Sequence, residues 1–131
     1  MIAVDTNVLV RTIVDDDPHQ VDRARAFIAA QDRVLILRTV LLELAWVLGS
    51  RRYQLTRDKI LSSLRTLARI PNVEIEDGDT VMQALEWYES GMDFADALHL
   101  ASIGGETEFA TFDASLRRAA QRLGIGRVVT I

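Results

Sequence analysis

Short apolar runs alternate with longer segments of helical periodicity along the whole chain, and this alternation restricts the fold more than any other feature. The predicted strands are residues 1–5, 34–37, 73–76, 108–112 and 128–129. The predicted helices are residues 6–13, 18–30, 39–52, 57–70, 79–90, 93–103 and 114–123. Strands that alternate with helices predict an α/β fold, a three-layer sandwich around a central and mainly parallel sheet.

The length and composition predict one globular domain over residues 1–131. A chain of 131 residues, 49% of them hydrophobic, can bury a substantial core. The sequence contains no cysteine, which excludes a disulfide framework and a thiol nucleophile. The N-terminus has no basic segment followed by a long apolar run. We therefore expect no secretory signal, no membrane span and a cytoplasmic location.

The charge of the chain bears on the kind of partner it binds. A net charge of −4 argues, by itself, against a nucleic-acid partner. However, 14 of the 15 basic residues are arginine, and arginine suits bidentate contact with phosphate. A GC-rich genome would produce the same bias. A metal site lined by carboxylates would also make a nuclease acidic, while its bound cations offset that charge locally.

Acidic residues lie where open parallel sheets carry their ligands. Asp5 ends the first predicted strand, and Asp113 ends the fourth. Glu43 lies near the start of the helix after the second strand, and Asp96 lies in the first turn of the helix that begins at residue 93. Because ligands sit beyond the carboxyl ends of parallel strands, we expect these four side chains on one rim of the sheet.

Three of these acids have a simpler structural interpretation. Asp5 and Asp113 are both placed to cap the helices that follow them. The helix neighbours of Glu43 at i−3 and i+4 are Val40 and Val47. A glutamate on such an apolar face is costly unless it is paired or bound to a metal. Alternatively, Glu43 ends the buried stripe and reaches solvent.

The segment from Asp93 to Asp96 has the spacing of a capping box, with acids at both ends. We interpret Asp93 mainly as the helix cap and Asp96 as a ligand. His99 lies one turn later, and we interpret it as a packing residue rather than a general base. The acidic run at residues 15–17 precedes Pro18, which indicates a solvated helix start rather than a metal site.

Three or four carboxylates cannot share a small site in ionised form without cations, because their repulsion would raise their pKa values. Oxygen ligands select Mg²⁺ or Mn²⁺. Such a site suits phosphodiester hydrolysis. Asn7 and Thr111 lie near the acids and are candidates to hold a carboxylate or a water molecule in place.

With these residues placed, the sequence resembles the PIN-domain ribonucleases, in particular the VapC-type toxins of bacterial toxin–antitoxin pairs. The matching pieces, in order, are Val4-Asp5-Thr6-Asn7, Glu43, Asp93-Phe94-Ala95-Asp96-Ala97-Leu98 and Ala110-Thr111-Phe112-Asp113. The resemblance implies a five-stranded parallel sheet in the order 3-2-1-4-5 and an endoribonuclease that uses Mg²⁺ or Mn²⁺.

The resemblance also assigns roles to residues and implies partners. The residues that match the acidic quartet of the family are Asp5, Glu43, Asp96 and Asp113. Asp93 matches an acidic position with a less direct role, and the supporting polar positions are matched by Thr6 or Asn7 and by Thr111. The implied partners are an RNA substrate, a small antitoxin and a second copy of the chain. The residues predicted to line an antitoxin groove, if they do not pack in the core, are Trp46, Val47, Tyr53 and Leu64.

Other families that begin with a strand ending in aspartate fit less well. A haloacid-dehalogenase-like phosphatase requires a second aspartate where this chain has Asn7, and it requires a late basic residue, typically lysine. The only lysine here is Lys59, which also argues against a response-regulator receiver. Two alternatives within the resemblance are a non-toxin PIN nuclease in RNA processing and a non-catalytic PIN-like binding module. The presence of all four acids argues against the second.

Overall fold

The computed structural model describes every residue from Met1 to Ile131. The strands are β1 (Ile2–Ala3), β2 (Val34–Ile36), β3 (Val73–Ile75), β4 (Phe109–Thr111) and β5 (Val128–Thr130). The helices are α1 (Thr6–Ile13), α2 (Pro18–Ala29), α3 (Arg38–Leu48), α4 (Arg57–Ala68), α5 (Gly78–Glu89), α6 (Phe94–Ser102) and α7 (Ala114–Arg122). The chain forms two compact units, residues 1–78 and residues 79–131. None of the helices has the length and apolar character that crossing a membrane requires.

In the first unit, three strands form a parallel sheet in the order β1-β2-β3. The middle strand carries the core, because the side chains of Val34 and Ile36 are completely buried. β3 is an edge strand in which the exposed Glu74 lies between two half-buried residues, as its alternating sequence predicts. Further core side chains come from the helices, including Leu9, Leu41, Leu44 and Leu64.

The apolar run Ile2-Ala3-Val4, with strand 1 in the middle of the order 3-2-1-4-5, predicts a buried strand, and this prediction was wrong for Ile2 and Ala3. Ile2 is 37% exposed and Ala3 is exposed, whereas Val4, directly after the strand, is buried. The backbone N–H groups of Ile2 and Val4 donate to the carbonyl oxygens of Arg33 and Leu35, at 3.0 and 3.3 Å. β1 therefore has a strand partner on one edge only, which explains its exposure.

In the second unit, β4 and β5 pair in parallel, from Phe109 opposite Val128 to Thr111 opposite Thr130. α7 connects the two strands, as a parallel pair requires. Its buried side chains are Leu116, Ala119 and Ala120. Gly124 follows the helix with φ +74°, a left-handed conformation that favours glycine.

The α/β architecture with parallel strands is confirmed, but the predicted single sheet is not what the strands form. They form one sheet of three strands and one of two. The adjacent strands 3-2-1 and 4-5 of the predicted order are both present. Each strand has only two or three residues, so the ladders offer few hydrogen bonds, and nothing in such short runs identifies the partner of each strand.

The acidic run before α2 is a helix start, as its position before Pro18 predicts. Asp17 Oδ1 accepts hydrogen bonds from the backbone N–H groups of His19 and Gln20, at 3.2 and 3.4 Å, and Pro18 occupies the first helical position. Asp16 pairs with Arg11 at 2.7 Å. Thr56 caps α4 in the same manner by accepting from the backbone N–H of Lys59. These side chains therefore stabilise helix ends.

The start of α3 is capped from a distant part of the chain. Its N-cap residue, Leu37, has no side chain that can accept a hydrogen bond. Glu76, just after β3, supplies the acceptor instead: its Oε1 accepts from the backbone N–H of Arg38 at 3.0 Å and from Arg38 Nε at 3.2 Å. These hydrogen bonds, the backbone one first, lower the pKa of Glu76 below its usual value. The carboxylate thus joins the end of β3 to the start of α3.

The end of α6 is capped by a side chain from the last strand region. Arg127 donates to the carbonyl oxygens of Leu100, Ile103 and Gly104, at 2.7, 3.1 and 2.6 Å. Carbonyl groups at a helix C-terminus lack partners within the helix, and a guanidinium also interacts favourably with the helix dipole there. Arg127 therefore stabilises the helix that carries Asp96.

Candidate functional site

Asp5 lies where β1 ends and α1 begins. Its Oδ1 accepts a hydrogen bond from the backbone N–H of Val8 at 3.2 Å, so Asp5 is the N-cap of α1. The side chain is exposed, at a helix end where a negative charge is favoured. The cap uses one of about four acceptor positions of the carboxylate. Capping and ligand binding are therefore compatible at this residue.

The two polar residues after Asp5 have different environments. Thr6 is 6% exposed and is the only buried polar residue of the chain. Asn7 is exposed and lines a groove of about 730 Å³ between α1 and α2. Of the two supporting residues that the resemblance leaves open, Asn7 is therefore the one with a side chain accessible to a ligand.

Glu43 is exposed on α3, which corrects the sequence argument from its apolar neighbours. The buried stripe of the helix consists of Leu41, Leu44 and Leu48, and Glu43 lies off that stripe. Trp46, one turn after Glu43, is 76% exposed. The alternative in which Glu43 reaches solvent is the one observed, so no burial cost indicates a bound metal at this position.

The residues proposed for an antitoxin groove divide between core and surface. Leu64 is 2% exposed and belongs to the core, so core packing is the alternative observed for this residue. Tyr53 is half-buried, and its hydroxyl accepts a hydrogen bond from Arg11 at 2.7 Å. Val47 is also half-buried. Only Trp46 of this set presents most of its side chain to solvent.

In the second unit, Asp93 and Asp96 lie together at the start of α6. Asp93 Oδ2 accepts from the backbone N–H of Asp96 at 3.1 Å, and this bond makes Asp93 the N-cap, as the capping-box spacing predicts. Asp96 is half-buried. Burial, followed by repulsion from Asp93 and Asp113, raises the pKa of Asp96, and His99 opposes the shift. Three carboxylates are therefore close enough to affect one another.

Asp113 ends β4 and caps α7. Its Oδ1 accepts from the backbone N–H and the hydroxyl of Ser115, at 2.8 and 2.5 Å, and from the backbone N–H of Leu116 at 3.4 Å. The hydroxyl of Ser115 is the largest of several causes that lower the pKa of Asp113, and the positive charge of Arg118 is another. Thr111 Oγ1 accepts from the backbone N–H of Asp113 at 3.0 Å. The supporting position predicted at Thr111 therefore contacts its acid directly.

His99 packs on an aromatic ring in this structure. Its imidazole stacks on Phe109 with ring centroids 6.3 Å apart and an interplanar angle of 18°. The packing interpretation is the one observed. His99 also lies near enough to Asp96 to act on its charge.

The structure brings part of the predicted set together. Asp93, Asp96 and Asp113 all belong to the second unit and interact electrostatically. Asp5 and Glu43 belong to the first unit. The structure contains no group of three or more His, Cys, Asp and Glu side chains that could hold a metal ion. The four-carboxylate site stays a prediction.

Several residues that shape the site were not identified from the sequence. Ser115 and Arg118 both act on Asp113, and the available signal was the pattern Asp-x-Ser, in which a serine two residues after a cap can donate to it. Phe112 is 83% exposed, directly before Asp113. The sequence predicts that Phe112 is the last apolar residue of a strand. In the structure β4 ends at Thr111, so Phe112 lies outside the sheet.

Comparison with known proteins gives a family and shows similarity to solved structures. A sequence model of the family described as the PIN domain matches residues 2–122. The crystal structure of VapC20 from Mycobacterium tuberculosis, described as a sarcin-ricin loop cleaving toxin, is similar at 21% sequence identity. The similarity covers 100% of this chain and 89% of that chain, with a TM-score of 0.46. Comparison with curated proteins gives no match.

Proposed function

The chain belongs to the PIN-domain family, and from this membership and its acidic residues we propose that it is an endoribonuclease of the VapC type that depends on Mg²⁺ or Mn²⁺. One observation supports the proposal most directly. Asp96 is half-buried, and its ionised form is disfavoured by burial and by Asp93 and Asp113. A residue with this combination of desolvation and like charges is a candidate for a functional site.

The donor chemistry of these residues fits a hard divalent cation. Carboxylate oxygens are the ligands that Mg²⁺ and Mn²⁺ prefer, and a cation would remove the repulsion that Asp96 experiences. We propose that Asp96 and Asp113 would hold the cation, with Asp93 nearby as the helix cap. When bound, such a cation lowers the pKa of water and offsets charge on a phosphodiester.

The residues around Asp113 keep it ionised and oriented. The N–H and hydroxyl of Ser115 fix one carboxylate oxygen, and Thr111 fixes the backbone that carries it. A carboxylate held in this way does not accept a proton at neutral pH. Asp113 is therefore suited to bind a cation with little reorganisation.

We propose that Asp5, Glu43, Asp96 and Asp113 serve one reaction, within one PIN-like domain that comprises both units. The order of the family motifs supports this grouping. Asn7 and Thr111 support the site, and Thr6, next to Asp5 in sequence, is buried. The toxin role, the small antitoxin partner and the homodimer are proposed on the same motif set.

The test is cleavage of RNA by the purified chain, without a partner, in Mg²⁺, in Mn²⁺ and in a chelator. We expect cleavage only with the metals, and we expect Asp96→Asn to lower the rate by more than about a hundredfold, since even residues that only support metal ligands cost 10–100-fold. Asp22→Asn is the matched control, because Asp22 is exposed on α2 and forms no hydrogen bond or ion pair.

Expression in cells tests the toxin role separately from the chemistry. We expect the wild-type chain to arrest growth and Asp5→Asn or Asp96→Asn to relieve the arrest. Cleavage without arrest would favour a non-toxin nuclease. Absence of cleavage over a broad panel of RNAs with both metals would reject the enzyme and leave a binding module.

A further inference from the structure

The end of the chain is basic although the whole chain is acidic. From Ala114 to Ile131 there are four arginines and no aspartate or glutamate, in a sequence with a net charge of −4. Three of these arginines lie on α7, the helix that Asp113 caps. The positive charge is therefore concentrated beside one of the proposed ligands.

Two of the four arginines donate hydrogen bonds within the protein and two do not, although the charge of Arg118 also acts on Asp113. Arg127 binds the carbonyl groups at the end of α6, and Arg117 donates to Thr130 Oγ1 at 3.3 Å. Arg118 and Arg122 are exposed and form no hydrogen bond or ion pair. Their guanidinium groups are therefore available to an external anion.

The positions of Arg118 and Arg122 on the helix relate them to Asp113. Ser115, which donates to the Asp113 carboxylate, is followed at i+3 by Arg118 and at i+7 by Arg122, so the three lie on the same side of α7. Side chains at i and i+4 are about 5–6 Å apart at their Cβ atoms. The two arginines therefore form a short line that leads away from the carboxylate.

Phe112 directly precedes Asp113 in the sequence, whereas Arg118 and Arg122 follow it. Its ring is 83% exposed, the highest value among the large hydrophobic residues. A single exposed apolar residue needs no special explanation. An exposed aromatic ring directly beside a proposed nuclease ligand is, however, suited to stack on a base of a single-stranded nucleic acid.

We propose that Phe112, Arg118 and Arg122 form a binding surface for single-stranded RNA, in which the two arginines contact backbone phosphates and Phe112 stacks on a base. This proposal rests on the proposed ribonuclease function. The exposed face of α7 has arginines and no acid, and the exposed ring of Phe112 favours RNA over an acidic protein because it can stack on a base. The surface would hold the strand so that it passes Asp113.

Binding can be measured apart from cleavage in the full-length Asp96→Asn protein. The probe is a fluorescently labelled single-stranded RNA of mixed sequence, titrated at several salt concentrations. We expect Arg118→Ala/Arg122→Ala to weaken binding by roughly tenfold or more and to reduce the slope of log K against log salt by about 1.4, since each phosphate contact on a single strand contributes about 0.7. We expect Phe112→Leu to weaken binding by about tenfold and Phe112→Tyr to retain it, because stacking requires a ring.

A matched control removes two exposed, unpaired arginines from the first unit, as Arg51→Ala/Arg69→Ala. It changes the net charge equally and should leave the salt slope within error of the parent. Thermal unfolding of each variant separates binding from folding, because Arg122 also lies in the last turn of α7, where a cation stabilises the helix. Arg118→Lys, which keeps the charge, should retain most of the affinity.

The outcomes distinguish this proposal from the proposed function. If the wild-type chain cleaves RNA and the α7 variants bind RNA with unchanged affinity and slope, the surface proposal is wrong and the nuclease stands. If the wild-type chain never cleaves but the α7 variants lose RNA binding, the surface stands and the nuclease is wrong. If the variants bind RNA normally but change the oligomeric state in solution, the face is a protein interface and the proposal is overturned.

Discussion

The starts of α6 and α7 look alike locally and differ electrostatically. Each helix begins at an aspartate whose carboxylate accepts a hydrogen bond from the backbone of the first turn. At α7, Ser115 adds a hydroxyl, and the pKa of Asp113 falls. At α6, Asp96 is half-buried behind the cap, and its pKa rises. The pKa values of two carboxylates in one unit are therefore shifted in opposite directions.

The difference shows that the acids of the proposed site are not electrostatically equivalent. Asp113 is stable as an anion without any cation. Asp96 is the residue whose ionisation a cation would favour most, because a cation offsets both burial and the repulsion from its two neighbours. When a pair of titratable groups is pushed apart in this way, the members usually have different roles.

Replacement of Asp96 should have the largest effect. Without metal, Asp96→Asn should unfold at a higher temperature than the wild type at neutral pH. Because the pKa of Asp96 is higher in the folded state than in the unfolded state, the protein loses stability as the pH rises from the unfolded-state pKa through the folded-state pKa. Asparagine does not ionise and so removes that loss. With Mg²⁺, the order should reverse, since only the wild type gains from the cation. Thermal unfolding with and without Mg²⁺ measures both effects; an unchanged order in Mg²⁺ would contradict the assignment of Asp96 as a ligand.

Two substitutions of Asp93 separate its role as the cap of α6 from the effect of its charge on the pKa of Asp96. Asp93→Ala should cost about 1 kcal/mol of unfolding free energy, the usual value of an N-cap. Asp93→Asn keeps a capping oxygen and should cost little, while it removes a negative charge and so lowers the pKa of Asp96 towards its ordinary value. Denaturant unfolding measures the first effect and a carboxyl-carbon NMR titration measures the second. Loss of Mg²⁺ affinity as severe as in Asp96→Asn would show that Asp93 is a ligand and not mainly a cap.

At α7 the corresponding test is Ser115. Ser115→Ala removes the hydroxyl that contributes most to the low pKa of Asp113, so that pKa should rise towards its ordinary value. Ser115→Thr keeps a hydroxyl and should leave the pKa low. The same NMR titration follows both variants. An unchanged pKa in Ser115→Ala would mean that the backbone N–H groups alone maintain the anion.

Glu76 caps the start of α3, and replacing it should change stability less than the other substitutions do. Its lowered pKa means that its contribution to stability is present at neutral pH and is lost as pH falls through its folded-state pKa. Glu76→Gln should therefore reduce stability slightly at neutral pH, by less than about 1 kcal/mol because the side chain is 38% exposed. The difference from wild type should disappear in acid. Denaturant titrations at a series of pH values measure the free energy of unfolding of both proteins. If the difference between Glu76→Gln and the wild type is the same at every pH, the effect comes from the amide itself and not from the lost charge.

The local parts of the fold were predictable because their signals are local. Apolar periodicity located all twelve strands and helices, and Pro18, Thr56 and Gly124 marked helix ends by the chemistry of their own side chains or backbones. The capping role of Asp93 followed from its spacing to Asp96 alone. These features depend on residues within about one turn of each other.

The parts that failed depend on residues far apart in sequence. The exposure of Ile2 depends on which strands flank β1, and the exposure of Glu43 depends on which face of α3 meets the core. Periodicity does not contain either fact, because α3 is apolar on several sides. The raised pKa of Asp96 also depends on its burial and on how close Asp113 lies to it, which no short motif specifies.

The contact of Arg127 with the end of α6 has a consequence for genetics. Asp113 is the last of the proposed catalytic acids along the chain. A nonsense codon shortly after it would therefore leave the full set of acids in the product. That product would lack Arg127, β5 and most of α7, and the helix that carries Asp96 would lose the cap on its last carbonyl groups. If the chain is toxic to its host, late nonsense alleles should therefore appear among spontaneous survivors as readily as missense alleles at the acids themselves.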